Sequence, residues 1–395
     1  MKVVEVRPYV VKTRTNAKGG VYWFLIRVTT DSNTVGWGEA YWNAYPPSVY
    51  KSMVTHIAEK YLIGQSPFDV EKLFRRVLTG HSFSRVDMSA MGILSGLEIA
   101  CWDIIGKETG KPIYMLMGGV VNEKIRTYTY LAEENEAIWC EDFWQMEEAC
   151  IERAAHNVKM GFTAIKFDPY SPYIGSLSPY QPSLEMMSRA ERTVKGIREA
   201  VGDKCDIIIG THGQFTPAAA IRVARSLEKY NPLWLEEPTP PENPAVLKKV
   251  AQATSIPIAT GERLATKYEM ASLIAEGCVD IVQLDLGGVG GILEAKKIAA
   301  MADAFHMQIT PHFWAGPINF AAQIQLDVSC ANFLIQESIE KMNRFGLDVL
   351  LRKPFVWQDG YIIPSKEPGL GIEIDQEKID QYSVEDYQER NVLLE

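Results

Sequence analysis

Four successive segments decide the fold: CDIIIG (205–210), PLWLEE (232–237), IPIATGE (256–262) and VDIVQLD (279–285). Each is a short apolar run that closes on a glycine or an acid, and helix-compatible sequence follows each one. The same unit recurs outward from them, as TAIKFD (163–168) and IRTYTYL (125–131) upstream and as MQITPH (307–312) and FLIQE (333–337) downstream. The run ends Asp168, Gly210, Glu236, Glu262, Asp285, His312 and Glu337 are separated by 42, 26, 26, 23, 27 and 25 residues. About 25 residues hold one strand, one helix and two short loops. Eight such units predict an α/β chain with a (β/α)8 TIM barrel. Strands that are apolar without alternation predict a parallel sheet covered on both faces. The one long interval contains PYSPYIGSLSPYQPS (169–183), an insertion expected in a loop at the barrel mouth.

The barrel pattern does not reach either end of the 395-residue chain. VVEVRPYVV (3–11), VYWFLIRVTT (21–30) and VGWGEA (35–40) read as an antiparallel meander, and helical periodicity takes over from Pro47. The run MSAMGILSGLEIACWDIIGKETG (88–110) ends at Gly110 and Pro112, both stop signals. We therefore expect an α+β capping domain over residues 1–122, the barrel over 123–355, and a segment 356–395 that returns to the capping domain.

Composition narrows the function. With 47% apolar and 23% charged residues the chain has material for a large core. A net charge of −10 without a basic run predicts no nucleic-acid partner. Charge interrupts the apolar N-terminus, which predicts neither signal peptide nor membrane span and makes the cytoplasm the expected address. Six scattered cysteines, none in CxxC, argue against disulfides or a thiolate zinc site.

Only the βα loops at the C-terminal face of such a barrel share a common mouth, so residues at strand ends are candidates for chemistry. In order they are Lys166 and Asp168, His212, Glu236, Glu262, Asp285, His312 and Glu337. Buried parallel strands would otherwise be apolar, so ionisable groups at seven successive ends point to one shared polar site. Glu236 and Glu262 are hard oxygen donors suited to Mg2+, though either could instead pair with Arg or Lys. Asp285 and His312 lie on neighbouring strands, where a carboxylate can orient an imidazole and raise its basicity, which makes His312 a candidate general base.

The combination GWGEA, IACWDIIGKETGKPIYMLMGG, AIKFDPY, LWLEEP, IATGER, QLDLGGVGGILEAKKIA, ITPHFW and FLIQE resembles the enolase superfamily over essentially the whole chain. Within it the pattern is similar to the mandelate racemase and muconate lactonizing enzyme family, and KFDPY and HGQF resemble its acid-sugar dehydratases of the gluconate and galactonate type. The resemblance implies a cytoplasmic homo-oligomer acting on a small sugar acid. It implies Mg2+, with Mn2+ as a substitute, held by Glu236 and Glu262. It further implies that His312, with Asp285 as its partner, takes the C2 proton through a metal-stabilised enediolate, and that loss of the 3-hydroxyl gives a 2-keto-3-deoxy acid. Glu337 would contact substrate, and Trp42, Asn43 and Tyr45 lie where the family's first domain caps the site. A racemase, epimerase or cycloisomerase on the same scaffold is the alternative enzyme reading. A degenerate barrel that binds a carboxylate without turnover is the non-catalytic one.

Two positions depart from the family pattern. The acid normally found at the end of the third strand is replaced by Gly210, and His212 is the nearest substitute, able to act as metal ligand or as acid on the leaving hydroxyl. At the second strand the Lys-x-Lys of racemase-type members is Lys166-Phe167-Asp168, which disfavours a two-base racemase. Lys166 would either bring positive charge to the substrate carboxylate or pair with Asp168 or another rim acid.

Overall fold

The computed structural model describes residues 1–13, 22–41, 45–82, 85–132, 143–171, 179–338 and 346–385. The chain opens with the expected meander, in which β1 (Val3–Lys12), β2 (Tyr22–Thr30) and β3 (Val35–Ala40) pair antiparallel in sequence order. Helices α1 (Pro47–Tyr61), α2 (Val70–Ser82) and α3 (Met88–Thr109) cover it. The Asp87 side chain caps α3 by accepting from the Ser89 and Ala90 N–H groups, and Gly110 ends it at φ 65°, a left-handed conformation open to glycine. α3 is long and apolar enough to cross a bilayer, yet it is buried against β2, β3 and the other two helices, as the core helix of a folded domain is.

After the short α4 (Ile113–Leu116) come eight parallel strands: β4 (Ile125–Tyr130), β5 (Ala164–Phe167), β6 (Asp206–Gly210), β7 (Trp234–Glu236), β8 (Ile258–Thr260), β9 (Ile281–Val282), β10 (Gln308–Ile309) and β11 (Gln336–Glu337). Each pairs with its sequence neighbour from β4 through β10, and β11 pairs with β4. Bridging of Ile309 with Phe333 closes the ring between β10 and β11. This is a (β/α)8 barrel behind an N-terminal cap. The helices between strands are α5 (Glu147–Lys159), α6 (Leu184–Val201), α7 (Pro217–Leu227), α8 (Pro244–Ala251), α9 (Thr266–Ala275), α10 (Leu286–Val289), α11 (Ile292–Asp303) and α12 (Pro317–Ser329). Ser183, Thr216 and Asn243 cap α6, α7 and α8 with their side-chain oxygens, and proline at the first turn of α7 and α8 fits there because its missing N–H would have no helical partner.

Residues 356–395 were expected to run back to the first domain, but they first extend the barrel. β12 (Val356–Gln358) and β13 (Tyr361–Ile363) form a hairpin whose second strand pairs antiparallel with β4, Tyr361 opposite Arg126. Only then does the chain reach the N-terminal residues, where Leu370 N–H donates to Asp103, and α13 (Gln376–Tyr382) leads to a bridge between Ser383 and Val11. No disulfide links the five described cysteines, all of which are buried.

Two carboxylates join cap to barrel. Glu39, at the end of β3, accepts from the N–H groups of Gly316, Ile318 (3.1 Å) and Asn319 (3.0 Å), the start of α12. Glu98, in α3, accepts from Ile292 (2.7 Å) and Leu293 (3.0 Å), the start of α11, and from the Trp102 indole (2.8 Å). A helix N-terminus offers unsatisfied N–H groups and partial positive charge, so an acid there is well placed. Burial pushes both carboxyls up to about 7, with the backbone donors pulling the other way.

Candidate active site

The strand ends bring the ionisable residues together at the mouth. On β5, Lys166 is fully buried and pairs with Glu236 of β7, with Glu337 Oε1 at 3.9 Å and the Tyr130 ring beneath its ammonium. Its partner is therefore Glu236, not Asp168. Burial disfavours a charged lysine, but Glu236, Tyr128 and Glu337 more than offset it and hold its pKa well above the usual value. The other Glu236 oxygen accepts from Gln283 Nε2 (2.7 Å) and Trp234 Nε1 (3.0 Å). Glu337 accepts from the Tyr130 hydroxyl and the Phe313 N–H, both at 2.7 Å.

Two imidazoles face this cluster, each held by an aspartate. Nδ1 of His312 lies 2.6 Å from Asp285 Oδ2, and Nδ1 of His212 lies 2.6 Å from Asp168 Oδ2. A carboxylate can only accept, so each Nδ1 donates and other work falls to Nε2. Nε2 of His312 is 3.8 Å from Glu262 Oε2. Burial lowers the pKa of His312, but Glu262 and the hydrogen bond that the ring donates to Asp285 overcome it, and the ring is pushed up to about 10. At His212 desolvation is outweighed by Asp168 and then Glu262, giving about 9. His212 adopts φ 45° and Glu237 φ 44°, a left-handed conformation that costs energy for side-chain-bearing residues and is concentrated at functional sites.

Sequence reasoning passed over three residues. Glu237 forms a two-pronged ion pair with Arg263, whose Nε lies 2.9 Å and Nη2 2.5 Å from Oε2, and Thr260 donates to its other oxygen at 3.4 Å. Burial and repulsion from Glu262 raise the Glu237 pKa against Arg263. The doublets in LEEP and GER carried that signal. The third is Tyr41, whose ring meets His312 edge-on with centroids 5.8 Å apart while its N–H donates to Gly287 O. Tyr45, expected to cap the site, leaves about half its surface in solvent (52%), and Trp42 and Asn43 lie outside the described residues. The stretch YWNAY gave no sign that the Tyr41 ring turns toward His312.

The donor chemistry fits a divalent cation. Six carboxylates, those of Asp168, Glu236, Glu237, Glu262, Asp285 and Glu337, are buried at the mouth with only Lys166 and Arg263 as permanent cations among the described residues. Glu262 Oε2 is buried without a hydrogen-bond partner, an arrangement that costs energy unless a cation or donor meets it. Among the described residues no three His, Cys, Asp or Glu side chains form a ready-made cage, because Lys166, His212 and Arg263 each hold one of the acids.

Residues 1–118 match the mandelate racemase / muconate lactonizing enzyme N-terminal domain, and residues 149–378 match the enolase C-terminal domain-like family. The chain belongs to the mandelate racemase and muconate lactonizing enzyme family of the enolase superfamily. The D-xylonate dehydratase of Haloferax volcanii is 33% identical, over 94% of this chain and 88% of its own. The D-gluconate/D-galactonate dehydratase of Picrophilus torridus is 33% identical, over 93% and 90%. Both relatives are hydro-lyases. Among solved structures, the mandelate racemase/muconate lactonizing enzyme of Jannaschia sp. CCS1 superposes with a TM-score of 0.93 at 39% identity, covering 100% of both chains.

Proposed function

We propose that this chain is a hydro-lyase that dehydrates a sugar acid to a 2-keto-3-deoxy acid, dependent on Mg2+ or Mn2+. The observation that carries the reading is the His312–Asp285 pair, set at the mouth beside Glu262. Its relatedness to xylonate, gluconate and galactonate dehydratases over more than nine-tenths of the chain supports the substrate class.

Glu236 and Glu262 would hold the cation, which when bound makes the proton next to the substrate carboxylate more acidic. His312 Nε2 takes that proton from C2, and Asp285 keeps the ring in the tautomer that presents Nε2 and stabilises the imidazolium that forms. The surrounding carboxylates hold a proton on His312, so the ring can act as a base only when their charge is met on binding. His212, kept in register by Asp168, gives its Nε2 proton to the departing 3-hydroxyl. Lys166, charged and out of water, draws in the substrate carboxylate and opposes the negative charge that develops beside it. Tyr41 closes one side of His312 and shields it from water.

The test is NMR of the purified protein in D2O with Mg2+ and a panel of aldonic, uronic and aldaric acids. A 2-keto-3-deoxy acid product is expected, and a panel without one would overturn the reading. A racemase or epimerase is the second reading, favoured by the two similar aspartate-held imidazoles. It would show as deuterium at C2 without loss of water.

A further inference from the structure

We infer that Asp168, carried on β5, takes the place of an acidic side chain at position 210 on β6 and is a third carboxylate ligand to the divalent cation, which leaves His212 for proton transfer. The inference rests on the function proposed above and concerns how this chain in particular builds the site.

Strand register comes first. Lys166 pairs with Ile208 and Phe167 with Ile209, so Asp168 and Gly210 stand side by side at the top of adjacent strands, and Gly210 in turn pairs with Glu236. A Cβ built on Gly210 would lie 2.1 Å from Asp168 Oδ1, 2.8 Å from its Cγ and 3.1 Å from its Oδ2. The whole carboxylate therefore occupies the volume that a side chain from 210 would fill, and no residue larger than glycine fits at 210 while Asp168 is there. Gly210 is required here for close approach. Its backbone sits in an ordinary strand.

Chemistry comes second. Asp168 is fully buried, as are its neighbours Glu236 and Glu237, and Glu262 carries an oxygen without a hydrogen-bond partner. A carboxylate matches a hard cation better than an imidazole does. His212 is already committed through Nδ1 to Asp168 Oδ2, and its side chain is 27% exposed where that of Asp168 is 0%. A ligating carboxylate is itself hydrogen-bonded in metal sites, and the His212 N–H meets that need at Asp168 Oδ2, leaving Oδ1 for the cation. The two departures of this sequence, glycine at 210 and aspartate at 168, thus become one change: an acid moved to the neighbouring strand.

The experiment is Mn2+ titration of the full-length protein by calorimetry and electron paramagnetic resonance, with circular dichroism to confirm folding. Asp168→Asn is expected to weaken Mn2+ binding by about tenfold or more. The exchange Asp168→Gly with Gly210→Asp is expected to restore most of the affinity, and His212→Gln, whose amide can still donate to Asp168, to weaken it less than Asp168→Asn does while turnover is lost. Unchanged affinity in Asp168→Asn would overturn the inference, as would a loss in His212→Gln as large as in Asp168→Asn. Should Asp168→Asn fail to fold, the exchange variant decides: folded without affinity, it too overturns the inference. Dehydration by the parent with unchanged affinity in Asp168→Asn removes this inference alone. A parent that neither binds Mn2+ nor dehydrates any acid removes the proposed function with it.

Discussion

Two sets of buried acids serve this molecule in opposite ways. Glu39 and Glu98, between cap and barrel, are met mainly by backbone N–H groups at the starts of α12 and α11. Asp168, Glu236, Glu237, Asp285 and Glu262 at the mouth face side chains: a lysine, an arginine and two imidazoles. Backbone donors cannot leave without unwinding a helix, so the first set is fixed. Side-chain donors can turn aside for a substrate or a cation, so the second set can exchange partners. Burial alone does not tell a structural acid from a working one, whereas the identity of its partners does.

The largest effect expected from breaking this contrast is at the mouth. Replacing His312 with Asn should lower dehydration and C2 exchange by about 10²–10⁴-fold while leaving the folded circular dichroism spectrum intact. At the interface the effect moves from rate to stability. Glu98→Ala strands the Ile292 and Leu293 N–H groups and the Trp102 indole, and it should cost about 2–4 kcal/mol in urea denaturation. Glu39→Ala should cost a similar amount, since three N–H groups at the start of α12 lose their acceptor.

A third expectation concerns pH. The Glu39 and Glu98 carboxyls are raised from 4.5 to about 7 in the folded chain. Folding therefore binds protons between those values. The stabilisation is fully present below about 4.5 and is lost as pH rises through about 7, on the order of a few kcal/mol for such a shift. The thermal midpoint should accordingly fall between pH 5 and 8 relative to Glu98→Gln, in which one of the two titrations is gone. The smallest effect is at the surface: Arg192→Ala removes an exposed ion pair with Glu147 and should leave the denaturation midpoint unchanged.

Much of the barrel was legible because its signal repeats: intervals near 25 residues, all but the one closing on Gly210 ending in an ionisable group, need no knowledge of what touches what. His312 and Asp285 were legible as a pair because neighbouring strand ends must be neighbours in space. What stayed hidden depends on side-chain direction. Lys166 turns to Glu236 across β6, and the alternation of a strand does not reveal that choice. Asp168 leans over Gly210 from 42 residues away, and sequence alone reads that glycine as a gap. Glu39 sits in a strand and Glu98 in an apolar helix, so neither announces that it caps a helix of the other domain. The turn at Tyr41 is decided by contact with Gly287, which no local pattern records.

The capping of α11 and α12 from outside the barrel also bears on how the molecule opens. Helix starts are ordinarily where a fold frays, and their amides exchange with solvent through small local fluctuations. Here the amides of Ile292, Leu293, Ile318 and Asn319 are closed by acids of another domain, so they exchange only when the two bodies separate. Their deuterium uptake would therefore follow global unfolding, and the cap and the last third of the barrel would melt as one cooperative unit.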